Sequence, residues 1–220
     1  MAELKTSSDK AYSILLNAIL EDVLPRDEFL SQRKLAEMTG TSVISVREAL
    51  KKLEYENFIE AIPKWGVRIP SLTKDRLIEI SQVREGLEVM VAYLLALNAT
   101  EEQREKLYQS AKECDLVEVN DENSIRRFSE KHRDLHLLMA EFTGNQHLKN
   151  NLEKIGLRMI IYRSAKWTWY QQIEYWGYWH QGLMDDIFSG DVCKAQYAMH
   201  DHIQHGLQHD IKMIEEEADE

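Results

Sequence analysis

Proline is scarce: three residues, at positions 25, 63 and 70, and none beyond. The rest of the chain is therefore free to run as uninterrupted helix. Long apolar stretches are missing too. None approaches the roughly 20 residues needed to span a bilayer, so no membrane segment is expected. Met1 to Lys10 has no apolar core of a signal peptide, which points to a cytoplasmic protein. Two cysteines, Cys114 and Cys193, are too few for a disulfide framework and are expected as reduced thiols. Positive charge is in deficit as well. A net charge of −11 argues at first against a nucleic-acid partner. Its distribution weakens that objection: residues 1–72 carry 10 Lys and Arg against 11 Asp and Glu, and the remainder 17 against 27. A near-neutral module still binds DNA if its cations gather on one face.

A length of 220 residues favours two modest domains over one large core. The shift in pattern after Pro70 places the boundary near Ser71-Leu72-Thr73, giving domains 1–72 and 73–220. In the first, Tyr12, Leu15, Leu16, Ile19 and Leu20 recur at helical spacing, so a helix covers about 7–23, capped by Ser8 or Asp9. A short helix over about 32–39 ends at Gly40. Another opens at Ser42, with Val46, Ala49, Leu50 and Leu53 on one face. Ser45 to Glu48 also matches a capping box, which leaves a start one turn later open. Gly66 to Ile69 reads as a strand. Two short helices about three residues apart, the second amphipathic and followed by a β-hairpin, describe a winged helix-turn-helix. The second domain reads as a bundle of about six helices. Thr73, a Thr100–Gln103 capping box and Asp191 mark starts, and Gly144 and Gly190 mark stops. The fold class is mainly α: three helices plus a β-hairpin, then an all-α bundle.

On the helix that starts at Ser42, the face opposite the apolar one carries Val43, Arg47 and Lys51 at i, i+4 and i+8. That face suits a major groove. Arg47 can fork onto guanine or phosphate oxygens, and Val43 can meet a thymine methyl. Arg33 is placed for a phosphate, and Lys64-Trp65-Gly66 forms the tip of the wing, where glycine permits close approach. The plain alternative is that Arg47 and Lys51 form an ordinary solvated face. Residues 12–69 resemble the winged helix of the GntR family of bacterial regulators. The resemblance rests on Leu24-Pro25 with Leu30, Leu35-Ala36, Ser42, Val46-Arg47-Glu48-Ala49-Leu50, Leu53, Phe58-Ile59, Pro63 and Gly66. It implies DNA contacts at Arg33, Arg47 and Gly66, with Ser42 and Ser45 at the start of the reading helix. The family commonly has arginine where Val43 stands, proline at Ser45 and glycine at Asn57. These departures bear on the operator sequence rather than the fold.

All eight histidines follow residue 131. His132 and His136, at i and i+4, can point at one ion. His180 lies on a separate helix, and His200, His202, His205 and His209 on the last. Imidazole-rich sites favour transition metals over Mg or Ca. Any one histidine is more often a plain surface or core residue, and Asp201 with His205 offers a competing pair. Residues 73–210 resemble the FCD-type sensor domain of the FadR subfamily within GntR, on the spacing of His136 to Gly144-Asn145 and of His180 to Gly190-Asp191, Ala195 and His202. Metal-binding members use one Asp and three His. The resemblance assigns the histidines to His136, His180 and His202 and puts His132 where the Asp would be. A divalent transition metal, Zn or Ni first, is the expected cofactor. The resemblance also gives Arg84 a pocket-facing role, suited to a small organic carboxylate; a salt bridge to Glu88 is the alternative. The aromatic run from Trp167 to Trp179 lines either a pocket or packed core and interface.

The expected function is thus a homodimeric DNA-binding regulator, a repressor, on a palindromic double-stranded operator, controlled by a small-molecule effector in the helical domain. An enzyme is not expected: no His-Glu-x-x-His or Glu-x-x-His occurs, and the proposed imidazole set lacks a general base.

Overall fold

A computed structural model describes residues 6–155, 157–170 and 179–219. The chain divides into two compact units, Met1–Leu72 and Thr73–Glu220.

The first unit begins with α1 (Ser7–Leu20). Its cap is Thr6 rather than Ser8 or Asp9. The Thr6 hydroxyl accepts from the Asp9 amide, and the Asp9 side chain accepts from the Thr6 amide, so Asp9 is the third residue of a capping box. Then follow β1 (Phe29–Leu30), α2 (Gln32–Thr39), α3 (Val43–Tyr55), β2 (Glu60–Ile62) and β3 (Gly66–Arg68). Gly40 closes α2 in the left-handed conformation at φ 60°, and Ser42 opens α3. The sheet is antiparallel in the order β1-β3-β2, with Leu30 and Ala61 both opposite Val67. β1 adds a third strand to the expected hairpin of β2 and β3; at two residues it is too short to show an alternating pattern in sequence. Asn57 takes the left-handed conformation at φ 59°, a region that asparagine tolerates better than most residues, so it can replace the family's glycine. Gly66 cannot be replaced so easily. Its φ is +112°, and an added Cβ would lie 3.2 Å from the Leu30 carbonyl oxygen. Leu15, Ile19, Val46, Leu53, Phe58 and Ile69 form the buried centre.

The second unit has seven helices among the described residues: α4 (Lys74–Asn98), α5 (Glu101–Asp115), α6 (Glu122–Phe142), α7 (Gln146–Lys154), α8 (Leu157–Tyr170), α9 (Trp179–Ile187) and α10 (Val192–Asp219). About six were expected. The difference arises after Asn145, where one helix was read and two exist: Ile155 is already the C-cap of α7. Residues 171–178, expected to begin the fifth helix, lie outside the described residues. The starts follow local chemistry. Thr73, Thr100, Asp121 and Asn145 each accept a backbone N–H in the first turn, and Asp191 accepts from Cys193 and Lys194. α10 packs chiefly on α4, and α6 packs on α5 and α8. Val91, Leu95, Leu135, Met139, Met184 and Met199 lie in the shared apolar core. Cys114 is buried and Cys193 exposed, both as free thiols. No helix among the described residues is long and apolar enough to cross a membrane.

Candidate DNA-reading face and histidine centre

α3 divides cleanly by burial. Val46, Ala49, Leu50 and Leu53 are buried, while Val43, Arg47 and Lys51 are exposed. Arg33, in the first turn of α2, is exposed too. Neither Arg33 nor Arg47 forms an ion pair with another described residue. Lys51 does: its Nζ lies 2.9 Å from Glu48 Oε1, so part of its charge is answered on its own helix. Ser42 Oγ accepts from the Ser45 amide at 3.1 Å and lies 3.0 Å from Ser45 Oγ, so both hydroxyls serve the helix start. Lys64 is exposed at φ 72°, and Gly66 follows at the β2–β3 turn. Between them Trp65 is 70% exposed and stacks on Phe29 at 5.5 Å.

In the second unit, the Nε2 atoms of His132, His136 and His202 converge from α6 and α10. His132 to His136 is 2.9 Å, His136 to His202 is 3.3 Å, and His132 to His202 is 3.4 Å. Around an ion with bonds of about 2.1 Å, two nitrogens sit about 3.0 Å apart at right angles and about 3.4 Å apart at tetrahedral angles. Two of the spacings fall in that interval, and His132 to His136 lies just below it at 2.9 Å. All three rings are buried, and burial is the first cause lowering the pKa of each, well below the usual histidine value for His132 and His202. Neutral imidazole is the form that ligates a metal.

His180 stands apart from the set expected in sequence. Its ring lies 4.4 Å from that of His132, centroid to centroid, yet its nitrogens are not among the three that converge. Asp115, at the end of α5, fixes it. The carboxylate accepts from His180 Nδ1 at 2.6 Å and from the amides of His180 and Gln181 at 3.1 and 3.0 Å. His180 Nε2 is left buried with no hydrogen-bond partner. It is thus an oriented nitrogen beside the cluster, without a hydrogen-bond partner among the described residues.

Arg84 and Glu88 are one turn apart on α4 and both buried. Arg84 Nε donates to Glu88 Oε1 at 2.5 Å, and His136 Nδ1 donates to Glu88 Oε2. Burial opposes ionisation of Glu88, but His136 and Arg84 outweigh it and hold the carboxyl down at about 2. We read the pair as a carboxylate accepting from a neutral imidazole, because burial dominates at His136. A histidine whose Nδ1–H is held this way presents Nε2 as a ligand. Glu88 and Asp115 were missed as parts of the centre. Glu88 was visible only as a bridge partner of Arg84, and Asp115, 65 residues before His180, left no spacing signal.

Arg84, His132 and His202 also line a cavity walled by Phe128, Ile160, Ile161 and Ala165. Arg84 thus both bridges to Glu88 and lines the cavity. Trp179 reaches this wall, with its ring 4.6 Å from that of His202. The side chains from Trp167 to Tyr178 lie outside those described. Asp210 on α10 also lines the cavity. It is 1% exposed, and neither carboxyl oxygen has a hydrogen-bond partner of ordinary geometry, although Ser164 lies close by.

Residues 7–69 match the bacterial regulatory proteins of the gntR family, and residues 79–205 match the FCD domain. The chain is 26% identical to an uncharacterized HTH-type transcriptional regulator, YdhC, of Bacillus subtilis, over 95% of this chain and 92% of that protein. It is 23% identical to the HTH-type transcriptional repressor GlaR of Escherichia coli, over 90% and 92% of the two chains. Among solved structures, that of E. coli McbR/YncC superposes with a TM-score of 0.66 at 18% identity, over 97% of this chain and 99% of that one, which speaks for the fold. These relatives are transcriptional regulators, not enzymes.

Proposed function

The chain belongs to the GntR family of bacterial regulatory proteins, with an FCD domain after its winged helix, and from that membership we propose a homodimeric cytoplasmic repressor that a small carboxylate releases from a palindromic operator. α3 enters the major groove. Arg47 reads a base edge, Val43 meets a thymine methyl, and Ser42 and Ser45 set the start of the helix against the backbone. Arg33, Lys51 and Lys64 neutralise phosphates, and Gly66 lets the wing approach closely. Two-fold symmetry of the dimer requires a palindrome. The description of GlaR as a repressor supports the sign.

The effector occupies the cavity of the second unit, with Arg84 answering its carboxylate. His132, His136 and His202 hold a divalent transition metal, Zn or Ni, and the otherwise unanswered Nε2 of His180 completes the set. An ion held by these histidines would polarise a carboxylate oxygen of the effector if its coordination expanded beyond four, or if His180 stayed out of the set. Glu88 and Asp115 keep His136 and His180 in the ligating tautomer. They also supply, from behind the rings, the negative charge that His132 does not. The effector acts only if it binds the DNA-free state more tightly than the DNA-bound one.

The observation that carries this reading is the convergence of three buried Nε2 atoms beside a cavity lined by Arg84. Two measurements test it. Selection from a random DNA pool should enrich a palindrome with wild-type protein and not with Arg47→Ala; failure to enrich any palindrome would end the operator reading. Elemental analysis should find about one Zn or Ni per wild-type chain and a loss in His136→Ala; equal metal in both would end the metal reading.

A further inference from the structure

We propose that Asp210 is the acceptor for a hydrogen-bond donor on the effector, so that the cavity selects organic acids bearing a hydroxyl or ammonium group remote from the carboxylate. The inference rests on the reading of this cavity as the effector site and adds the second half of the ligand's chemistry.

The buried carboxylates of the helical unit are answered unequally. Glu88 has Arg84 and His136, and Asp115 has His180 and Gln181. Asp210 is buried as deeply as Glu88, and among the described residues neither of its oxygens has a hydrogen-bond partner of ordinary geometry; Ser164 is the one hydroxyl close enough to act on it. A buried, unanswered carboxyl is costly, and an apolar residue would fill the position without that cost. Ile160, Ile161, Ala165 and Phe128 supply an apolar part of the wall, beside Arg84, Ser164 and four histidines. Burial pushes the Asp210 carboxyl up to about 7, against the opposing charges of Arg163 and Arg84. Without ligand, the group is thus held in an environment that does not suit its charged form. A donor delivered into the cavity would satisfy it, and a methyl group would not. A site built this way discriminates strongly against an analogue that lacks the donor.

Position sets the ligand's layout. Asp210 is eight residues after His202 on α10, or about 12 Å along the helix axis. With the effector's carboxylate at the histidine end of the cavity, the donor belongs toward Asp210, and Arg84 is near enough to act on the Asp210 charge as well.

The test uses zinc-loaded, full-length protein and calorimetric titration with straight-chain acids of about four and about six carbons. Each acid is offered unsubstituted, with a terminal hydroxyl, or with a terminal amine. Wild type is expected to hold one terminally substituted acid at least about tenfold more tightly than its unsubstituted parent. Asp210→Leu should erase that preference while leaving affinity for the parent acid within about threefold. Asp210→Asn keeps an acceptor oxygen but no charge. It should retain preference for the hydroxyl and lose any for the amine, an outcome that a purely structural role would not produce. Circular dichroism melts confirm that both variants fold. Substituted and parent acids binding alike, or a preference that survives Asp210→Leu, overturns this proposal and leaves the carboxylate reading standing. Wild-type protein that binds none of the acids overturns both.

Discussion

Glu88 and Asp210 are both carboxylates buried in the helical unit, at 1% exposure each, and their surroundings drive them in opposite directions. Glu88 sits between a guanidinium and an imidazole and is held at about 2. Asp210 has no hydrogen-bond partner of ordinary geometry among the described residues, and burial pushes it up to about 7 against Arg163, Arg84 and Ser164. The same chemical group at the same depth therefore stabilises one part of the bundle and destabilises another. Burial opposes ionisation in both places, and the partners differ. Arg84 and Glu88 look built for the folded state and the centre they support, whereas Asp210 makes sense when something else arrives.

The largest effect should come from breaking the answered group. Glu88→Ala leaves the buried Arg84 guanidinium without its carboxylate partner and should cost about 3–5 kcal/mol, read from denaturant melts of metal-free protein. A loss below about 1 kcal/mol would mean that Arg84 finds water, and the contrast with Asp210 would dissolve. Asp210→Asn should do the reverse and stabilise the ligand-free protein, by up to about 4 kcal/mol above neutral pH. The sign follows from the direction of the shift. The folded state binds this proton more tightly than the unfolded chain, so wild-type stability falls as pH rises from about 4 to about 7 and is level beyond. The gap between Asp210→Asn and wild type should widen over the same interval. Several groups surround Asp210: Arg84 from α4, His132 from α6, Arg163 and Ser164 from α8, and His205 and His209 on its own helix. The histidines are present in both proteins, so their titration cancels to first order in the difference. A gap that does not change with pH would show that Asp210 is already answered.

Much of this was legible in the sequence, and the parts that were not share a cause. Starts and stops of helices depend on near neighbours, so Ser42, Thr100 and Asp191 could be read directly. The pairing of His132 with His136 also depends on one helix turn. What escaped depends on distant residues. β1 exists because β3 pairs with it 37 residues later, as Leu30 lies opposite Val67. Asp115 belongs to the centre only because α5 ends beside His180. Asp210 had a local signal, since it continues the polar run from His202 through His205 and His209, but that run looks the same whether it faces solvent or a cavity. His180 was placed in the ligand set by resemblance, and its ring does lie beside His132. Its Nε2 is nevertheless outside the three that converge, because Asp115 fixes both its backbone and its ring.

Asp115 supplies an intermediate case between the two carboxylates. Hydrogen bonds from His180 and Gln181 lower its pKa even though burial, the largest influence, opposes ionisation. Asp115→Ala should cost about 1–3 kcal/mol, less than Glu88→Ala, because it leaves polar groups rather than a stranded guanidinium unanswered. If His180 is a ligand, the same change should also weaken zinc binding by about 10- to 100-fold in a chelator competition. Loss of stability with unchanged zinc affinity would restrict Asp115 to a structural role.

The smallest effect tests whether burial, rather than helical spacing, separates these cases. Lys51 and Glu48 form an ion pair one turn apart on α3, much as Arg84 and Glu88 do on α4, but their side chains are 64% and 53% exposed against 6% and 2%. Water already solvates both charges on α3 and screens their attraction. A double-mutant cycle with Lys51→Ala and Glu48→Ala should therefore return a coupling of at most about 0.5 kcal/mol, fading with added salt. The same cycle on Arg84 and Glu88 should return several times more and respond little to salt, since the buried pair is barely screened. Equal couplings would mean that one-turn spacing sets the energy and that the partners of Glu88 matter less than their position on the helix. Glu48 and Lys51 also lie on the face proposed to meet DNA, where a weak pair has a use: Lys51 can exchange Glu48 for a phosphate at little cost in stability.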